Sequence, residues 1–407
     1  MSHIKRYKYL NIVEKYMTEG IQKGYCYLSV EDDELNGRTI KIHGQDLINF
    51  GSGSYLGLET DRRLIDGAIE GALRYGTQFS SSRAYVASGQ HSELEALLAQ
   101  IFNVSADCVI VLPSTTLAHM SVIPVTIESK DVIVLDRHVH NTVRMAVNLL
   151  KSLENGVEAI EIPHNRLDIL EQKIKELRNR ASRIWYMIDS IYSMHGDIGP
   201  LKTLEDMLND YERLYVYVDD AHGMSWKGIS GRGYMLDTIK LHSKMVIATS
   251  LNKSFGAAGG ALVFPEKKWS QRVRTCGEPL IFTGPMQPPL LGACIASAKV
   301  HLSDEIRTLQ SDLLTRIKYC NELLKKYNVP IEELIAPIFF VRVGKRDKTR
   351  FLAENLRRDG YYFNVATFPA VPPERTGIRF TVTVHHSLDD IQNLIEAIAS
   401  YLKEFDR

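Results

Sequence analysis

Leu214-Tyr215-Val216-Tyr217-Val218-Asp219-Asp220-Ala221-His222-Gly223 is a short apolar run that breaks abruptly into charge. Its length and its β-branched and aromatic residues predict a buried strand. Met245-Val246-Ile247-Ala248 repeats the pattern and leads into Ser250-Leu251-Asn252-Lys253-Ser254-Phe255-Gly256, with Gly259-Gly260 beyond. Each run delivers polar side chains at its C-terminal end, where open α/β sheets bind ligands.

The same arrangement extends outward in both directions. Strand candidates are Cys108–Leu112, Val132–Leu135, Ala159–Ile162, Ile184–Ile188, Leu214–Val218, Met245–Thr249 and Ala261–Phe264. Helical patterns such as Leu167–Arg178 and Leu204–Tyr211 separate most of them, and this alternation predicts a mostly parallel seven-stranded sheet covered on both faces. Polar residues gather at most strand ends: Ser114-Thr115-Thr116, Asp136 to His140, His164-Asn165, Asp189-Ser190, Asp219-Asp220 and Ser250. Before the sheet, residues 5–23 predict an amphipathic helix. Gly24–Val30 and Arg38–His43 predict a hairpin turned at Asn36-Gly37. Arg62–Arg74 and His91–Phe102 predict helices. After the sheet, Leu290–Tyr327 is helix-rich. Strands over Ile338–Val343 and Ile378–Val384, with helices over Leu352–Asp359 and Leu388–Phe405, predict a small α+β domain. The expected division is an arm over 1–50, a large α/β domain over 51–295, and a linking helix with the small domain over 296–407.

Composition narrows the function classes. Lys+Arg and Asp+Glu each number 49, so there is no net charge to favour nucleic acid or an anionic membrane. Hydrophobic content of 44% with 24% charged residues suits a globular protein. The five cysteines are scattered, without metal-ligand spacing or a disulfide framework. No metal site is expected. No apolar run approaches the ~20 residues of a membrane span. The N-terminus lacks the apolar core of a signal peptide. A reducing, cytoplasmic setting is the expectation.

A lysine and a carboxylate delivered to one sheet edge suit pyridoxal phosphate chemistry. The lysine, Lys253, would form the Schiff base, and Asp219 would keep the pyridine nitrogen protonated so that the ring acts as an electron sink. His222, three residues after Asp219, would reach the phenolic oxygen; the alternative is a helix cap. Ser114, Thr115 and Thr116 offer hydroxyls and backbone N–H groups to a phosphate, with Ser250 as a further donor, and a plain N-cap is the competing account. His140 would stack on the ring or simply close a turn. Ser193 would bond the cofactor or serve its own turn. Arg379, inside a strand pattern, calls for a partner: a bidentate substrate carboxylate or an internal salt bridge.

These segments together resemble the α-oxoamine synthase family of fold-type-I pyridoxal phosphate enzymes, over about Tyr55 to Leu402. Tyr55-Leu56-Gly57-Leu58 is similar to the family's Tyr-Leu-Gly-Leu. Asp189 to Leu201 resembles its Asp-Gly-x-Phe-Ser-Met-Asp-Gly-Asp-x-x-Pro-Leu. Val218 to Gly223 and Gly231-Arg232-Gly233 match its Val-Asp-Asp-Ala-His-Gly and Gly-Arg-Gly, and Ser250 to Gly260 is similar to its lysine segment. The resemblance implies pyridoxal 5'-phosphate as cofactor and a decarboxylative condensation of an amino acid with an acyl thioester. It gives Lys253, Asp219, His222, Ser193 and Ser250 the roles above, His140 the ring-stacking role and Arg379 the substrate carboxylate. It also implies a homodimer with active sites at the interface, in which a hydroxyl of a segment like Ile281–Pro289, here Thr283, reaches the partner's phosphate. Departures are concentrated around the ligands. Ser52-Gly53-Ser54-Tyr55 replaces Ser-Asn-Asp-Tyr, leaving Ser54 near the expected substrate site. Thr115-Thr116 replaces a Gly-aromatic pair, and His195 replaces an acidic residue. An aminotransferase or amino-acid lyase, and a non-catalytic partner subunit on the same fold, are the other readings.

Overall fold

The computed structural model describes residues 3–153, 157–331 and 333–404. The chain opens with the helix His3–Gln22, followed by strands β1 (Thr39–Ile42) and β2 (Gln45–Asn49). Seven strands then build the main sheet: β3 (Val109–Leu112), β4 (Val132–Asp136), β5 (Glu158–Ile162), β6 (Ile184–Asp189), β7 (Leu214–Asp219), β8 (Met245–Ser250) and β9 (Gly260–Val263). The last four are β10 (Ile338–Gly344), β11 (Tyr361–Tyr362), β12 (Asn364–Ala366) and β13 (Thr376–Thr381).

The main sheet has the order β3-β9-β8-β7-β6-β4-β5. All its pairings are parallel except those of β9, which runs antiparallel to both β3 and β8. The inner strands are buried on both faces, which is why they read as continuous apolar runs, whereas edge strand β5 keeps charged positions. Ile110, Leu112, Tyr217, Ala248 and Leu262 pack against Ala118, Val122 and Ile123 of the helix Thr115–Thr126. Each such large apolar side chain contributes roughly 1.5–3 kcal/mol on burial.

The chain divides into two compact units. One comprises Leu56–Ser193 and Asp197–Ser311 and holds the main sheet; the other takes the segment up to Tyr55, Met194–Gly196 and the segment from Asp312 onward. In the second unit β1-β2-β11 and β10-β13-β12 form two three-stranded sheets. The N-terminal strands thus pair with a strand more than 300 residues away, Ile48 opposite Tyr361.

The strand expected at Gly24–Val30 is absent, and the turn expected at Asn36-Gly37 lies elsewhere. Ile42 pairs with Gln45, so the two-residue turn is His43-Gly44, with φ of 51° and 72° at its two positions. Positive φ at both residues is the geometry whose twist matches a hairpin. Asn36 instead accepts the N–H groups of Arg38 and Thr39 and starts β1 from outside.

A clamp at the ends of β4 and β6 fixes the segment leading to His140. Asp136 accepts the N–H groups of His138 and Asn165, both at 2.7 Å. His164 bridges two carboxylates, Nδ1 to Asp136 at 2.9 Å and Nε2 to Asp197 at 2.5 Å. Burial alone would lower the pKa of His164, but hydrogen bonds and charge from Asp136 and Asp197 outweigh it and raise it to about 9. A raised histidine contributes stability that is fully present below its unfolded pKa of about 6.5 and lost as pH climbs through the folded value. Thermal melts from pH 6.5 to 9.5 are therefore expected to show a progressive loss of stability. His164→Gln should flatten that slope relative to the unsubstituted chain; parallel slopes in the two proteins would disprove the clamp's charge.

Candidate active site

The C-terminal ends of β6, β7 and β8 and the start of the helix Thr115–Thr126 enclose a cavity of about 230 Å³. Its walls include Lys253, Asp219, His222, His140, Ser114, Thr115, Thr116 and Ser250, so eight of the residues expected from sequence meet in one place. Ser193 and Thr283 do not line it. Thr283 donates instead to the carbonyl of Pro279, and Ser193 lies on the segment following β6. Ser54 and Arg379 belong to the other unit. There the Ser54 N–H meets Ser52 Oγ at 3.1 Å, and Arg379 donates to Asn364 Oδ1 at 3.1 Å.

Lys253 is carried by a closed loop. Leu251 and Gly259 are joined N–H to carbonyl at 2.9 Å, Ala257 bonds back to Leu251 at 3.0 Å, and Gly256 to Lys253 at 2.9 Å. Gly260 then lets β9 approach the helix start. A Cβ there would lie 2.6 Å from the Thr115 nitrogen and 2.7 Å from its Cα. That approach holds the first turn of the helix over the sheet end. Ser114 is indeed its N-cap, accepting from Leu117 N at 3.2 Å. The capping and phosphate-binding readings are compatible, because one cap leaves other first-turn N–H groups directed outward. The hydroxyl of Thr115 reaches Thr249 O at 3.3 Å, and that of Ser250 is given to Asn252 Oδ1.

His140 is fixed from two sides. Its backbone N–H donates to Asp189 Oδ1 at 3.0 Å, and its Nδ1 meets Thr142 Oγ1 at 2.7 Å. Burial lowers its pKa, with Lys253 and His119 adding to the effect against Asp219, so the ring is neutral near pH 7. A neutral imidazole can lie flat on an aromatic face without a charge to desolvate.

Asp219 is the focal charge. It is buried, and burial would raise its pKa, yet His119, Lys253 and His140 draw it down to about 2. Its Oδ1 accepts the Ala221 N–H at 3.0 Å and its Oδ2 lies 3.1 Å from His119 Nε2. Asp189 pairs with it across β6 and β7. Burial and the Asp219 charge push Asp189 well above the usual carboxylate range. The two neighbouring carboxyls are therefore driven in opposite directions, Asp219 toward the ionised form and Asp189 toward the protonated one. Asp220, pointing to the other side of β7, is raised to about 7 by burial and holds the Met235 N–H at 3.2 Å.

Sequence reasoning missed His119, Thr142 and Asn252 as cavity residues. His119 sits within an apolar helical run, and its partners on β7 come about 100 residues later, so no local spacing marks it.

A family model described as aminotransferase class I and II matches residues 45–398. The chain belongs to that family. Curated relatives of this aminotransferase-family chain include the 8-amino-7-oxononanoate synthase of Thermoanaerobacter pseudethanolicus, 27% identical with 94% of each chain covered. The protein of the same name from Treponema denticola is 28% identical with 89% of each covered. Among solved structures, a serine palmitoyltransferase of Sphingomonas wittichii aligns with a TM-score of 0.88 at 20% identity over 98% of both chains. An 8-amino-7-oxononanoate synthase of Francisella tularensis gives 0.73 at 20% identity, over 89% of this chain and 99% of that one. The structural likeness establishes the fold, that of the fold-type-I pyridoxal phosphate enzymes.

The cavity fits pyridoxal 5'-phosphate. An amine, an ionised carboxylate, a neutral imidazole and a helix N-terminus correspond to its aldehyde, ring nitrogen, ring face and phosphate. Asp219→Asn should still bind cofactor but lose roughly 10²–10⁴ in kcat, the scale of one preorganised charge in a dry site. Near-normal turnover by that variant would place the ring-nitrogen partner elsewhere.

Proposed function

We propose that this enzyme condenses a small α-amino acid with an acyl thioester, releasing CO₂ and thiol to leave an α-amino ketone. The observation that carries condensation over transamination is the set of curated relatives. Matched over about nine-tenths of both chains, they are named as synthases of an 8-amino-7-oxo acid, a product with amine and ketone on adjacent carbons.

Bound pyridoxal phosphate supplies an electron sink next to the amino carbon of the substrate. The chain's own groups do the rest. Lys253 Nζ takes the proton from the α-carbon. Asp219, held ionised, keeps the proton on the ring nitrogen, and neutral His140 covers one ring face and excludes water. His222 donates to the phenolic oxygen. Ser114, Thr115, Thr116 and Ser250 hold the phosphate, for which the Ser250 hydroxyl must turn away from Asn252. Ser193 is a further cofactor contact, and Arg379 and Ser54 orient the substrate carboxylate. The freed electron pair of the α-carbon forms the new C–C bond as the C–S bond breaks. The carboxylate then leaves as CO₂, and a proton takes its place.

The proposed assembly is a homodimer in which Thr283 serves the partner's phosphate. An outward apolar stripe supports it: Ile65, Ile69 and Leu73 recur every four residues on the helix Arg62–Tyr75, with Leu73 83% exposed. Phe282, beside Thr283, is 78% exposed. Such faces on a folded chain mark association surfaces.

Among the described residues no helix is long and apolar enough to cross a membrane. The proposed setting is the cytoplasm.

Incubation of the purified protein with candidate amino acids and acyl thioesters tests the reaction. One thiol and one CO₂ per turnover are expected, with no keto acid formed from amino acid alone. Stoichiometric keto acid from the amino acid alone would establish an aminotransferase instead.

A further inference from the structure

The helix Thr115–Thr126 presents His119 to the cavity, with its ring wholly buried between two side chains of β7. Tyr217 and Asp219 are two residues apart on one strand, so both point to the face that this helix covers. Tyr217 Oη lies 2.6 Å from His119 Nδ1, and Asp219 Oδ2 lies 3.1 Å from Nε2. The second contact is close but bent, short of a straight N–H···O alignment.

Proton placement follows from which group has an alternative. Burial drives the Tyr217 phenol far above its ordinary pKa, so it keeps its proton. A buried hydroxyl needs an acceptor, and among the described residues Nδ1 is the only one this hydroxyl meets. Nδ1 therefore accepts and carries no proton. The N–H of the ring is then on Nε2, the nitrogen beside Asp219.

That N–H matters because two carboxyls compete for charge here. Asp189 and Asp219 face each other across paired strands, and both are buried. Asp189 has the His140 backbone N–H at 3.0 Å. Asp219 has the Ala221 N–H at 3.0 Å and, in addition, His119. His119 is thus a side-chain contact made by Asp219 in addition to the backbone N–H that each carboxyl accepts.

We propose that His119 is a positioning residue for the cofactor: Tyr217 fixes it as the Nε2–H tautomer, and that N–H holds Asp219 as the charged member of the pair with its carboxylate turned to the cavity. The proposal deepens the functional reading above and rests on Asp219 meeting the ring nitrogen.

Long-range ¹H–¹⁵N correlation on histidine-labelled protein, cofactor-free and loaded, reads the tautomer directly, with the His119 signal assigned by its loss in His119→Gln. A protonated Nε2 and an acceptor Nδ1 are expected in both forms. His119→Leu fills similar space without a donor, whereas the amide of His119→Gln can place an N–H where Nε2–H stood. His119→Leu should shift the visible band of the bound cofactor and lower kcat about 10–100-fold with little change in amino-acid KM, the scale of one hydrogen bond to a charged group. His119→Gln should recover most of both. An imidazolium or an Nδ1–H tautomer in the unsubstituted protein overturns the proposal. So does equal behaviour of the Leu and Gln variants. The tautomer still decides the matter if His119→Leu does not fold. A protein that shows the expected tautomer but binds no pyridoxal phosphate would defeat the functional reading and leave the tautomer assignment standing.

Discussion

A carboxylate buried at the end of a β-strand is the constraint on which the site depends. Asp219 sits where desolvation favours the neutral acid, and an isolated buried charge is not sustained. It stays ionised because N–H groups and a cation face it: His119, Lys253 and the Ala221 amide. Without that set Asp219 would be pushed the way Asp189 is, one strand away, whose pKa burial and the Asp219 charge raise. The fold supplies the arrangement. Parallel strands end together, so β6 and β7 bring their terminal aspartates side by side, and β8 ends beside them in the loop that carries Lys253.

The opposite end of the cavity answers a different requirement, a dianionic phosphate. A helix N-terminus meets it with backbone dipoles and unpaired N–H groups. Here the helix start can approach the sheet only because residue 260 lacks a Cβ. The cavity is thus bracketed by a positive helix end and a negative strand end, and both poles are set by backbone elements buried in one core.

Lys253, Asp219, His222 and His140 were legible in the sequence because each follows a short apolar run, and strand ends in a parallel sheet converge. The seven main-sheet strands were legible for the same reason: strands buried on both faces read as unbroken apolar runs. The antiparallel direction of β9 was not, since direction leaves no mark on hydropathy. The N-terminal strands were misplaced because Tyr25, Tyr27, Leu28 and Val30 imitate a strand, and Asn36-Gly37 imitates its turn. The true turn, His43-Gly44, has a weaker signature and is fixed by pairing with Tyr361, a contact no local window contains. His119 escaped notice because its role comes from strand residues far along the chain. Ser193 had a turn-like polar segment behind it and Thr283 only the family resemblance, and both lie off the cavity walls.

Every proposed role in the cavity requires Lys253 to be the amine that engages the cofactor. Borohydride reduction of the holoprotein, followed by proteolysis and mass mapping of the pyridoxyl label, tests it most directly. A single label is expected on the peptide containing Ser250 to Gly256, at Lys253. A label on any other lysine, or none from a protein that retains bound cofactor, would contradict it.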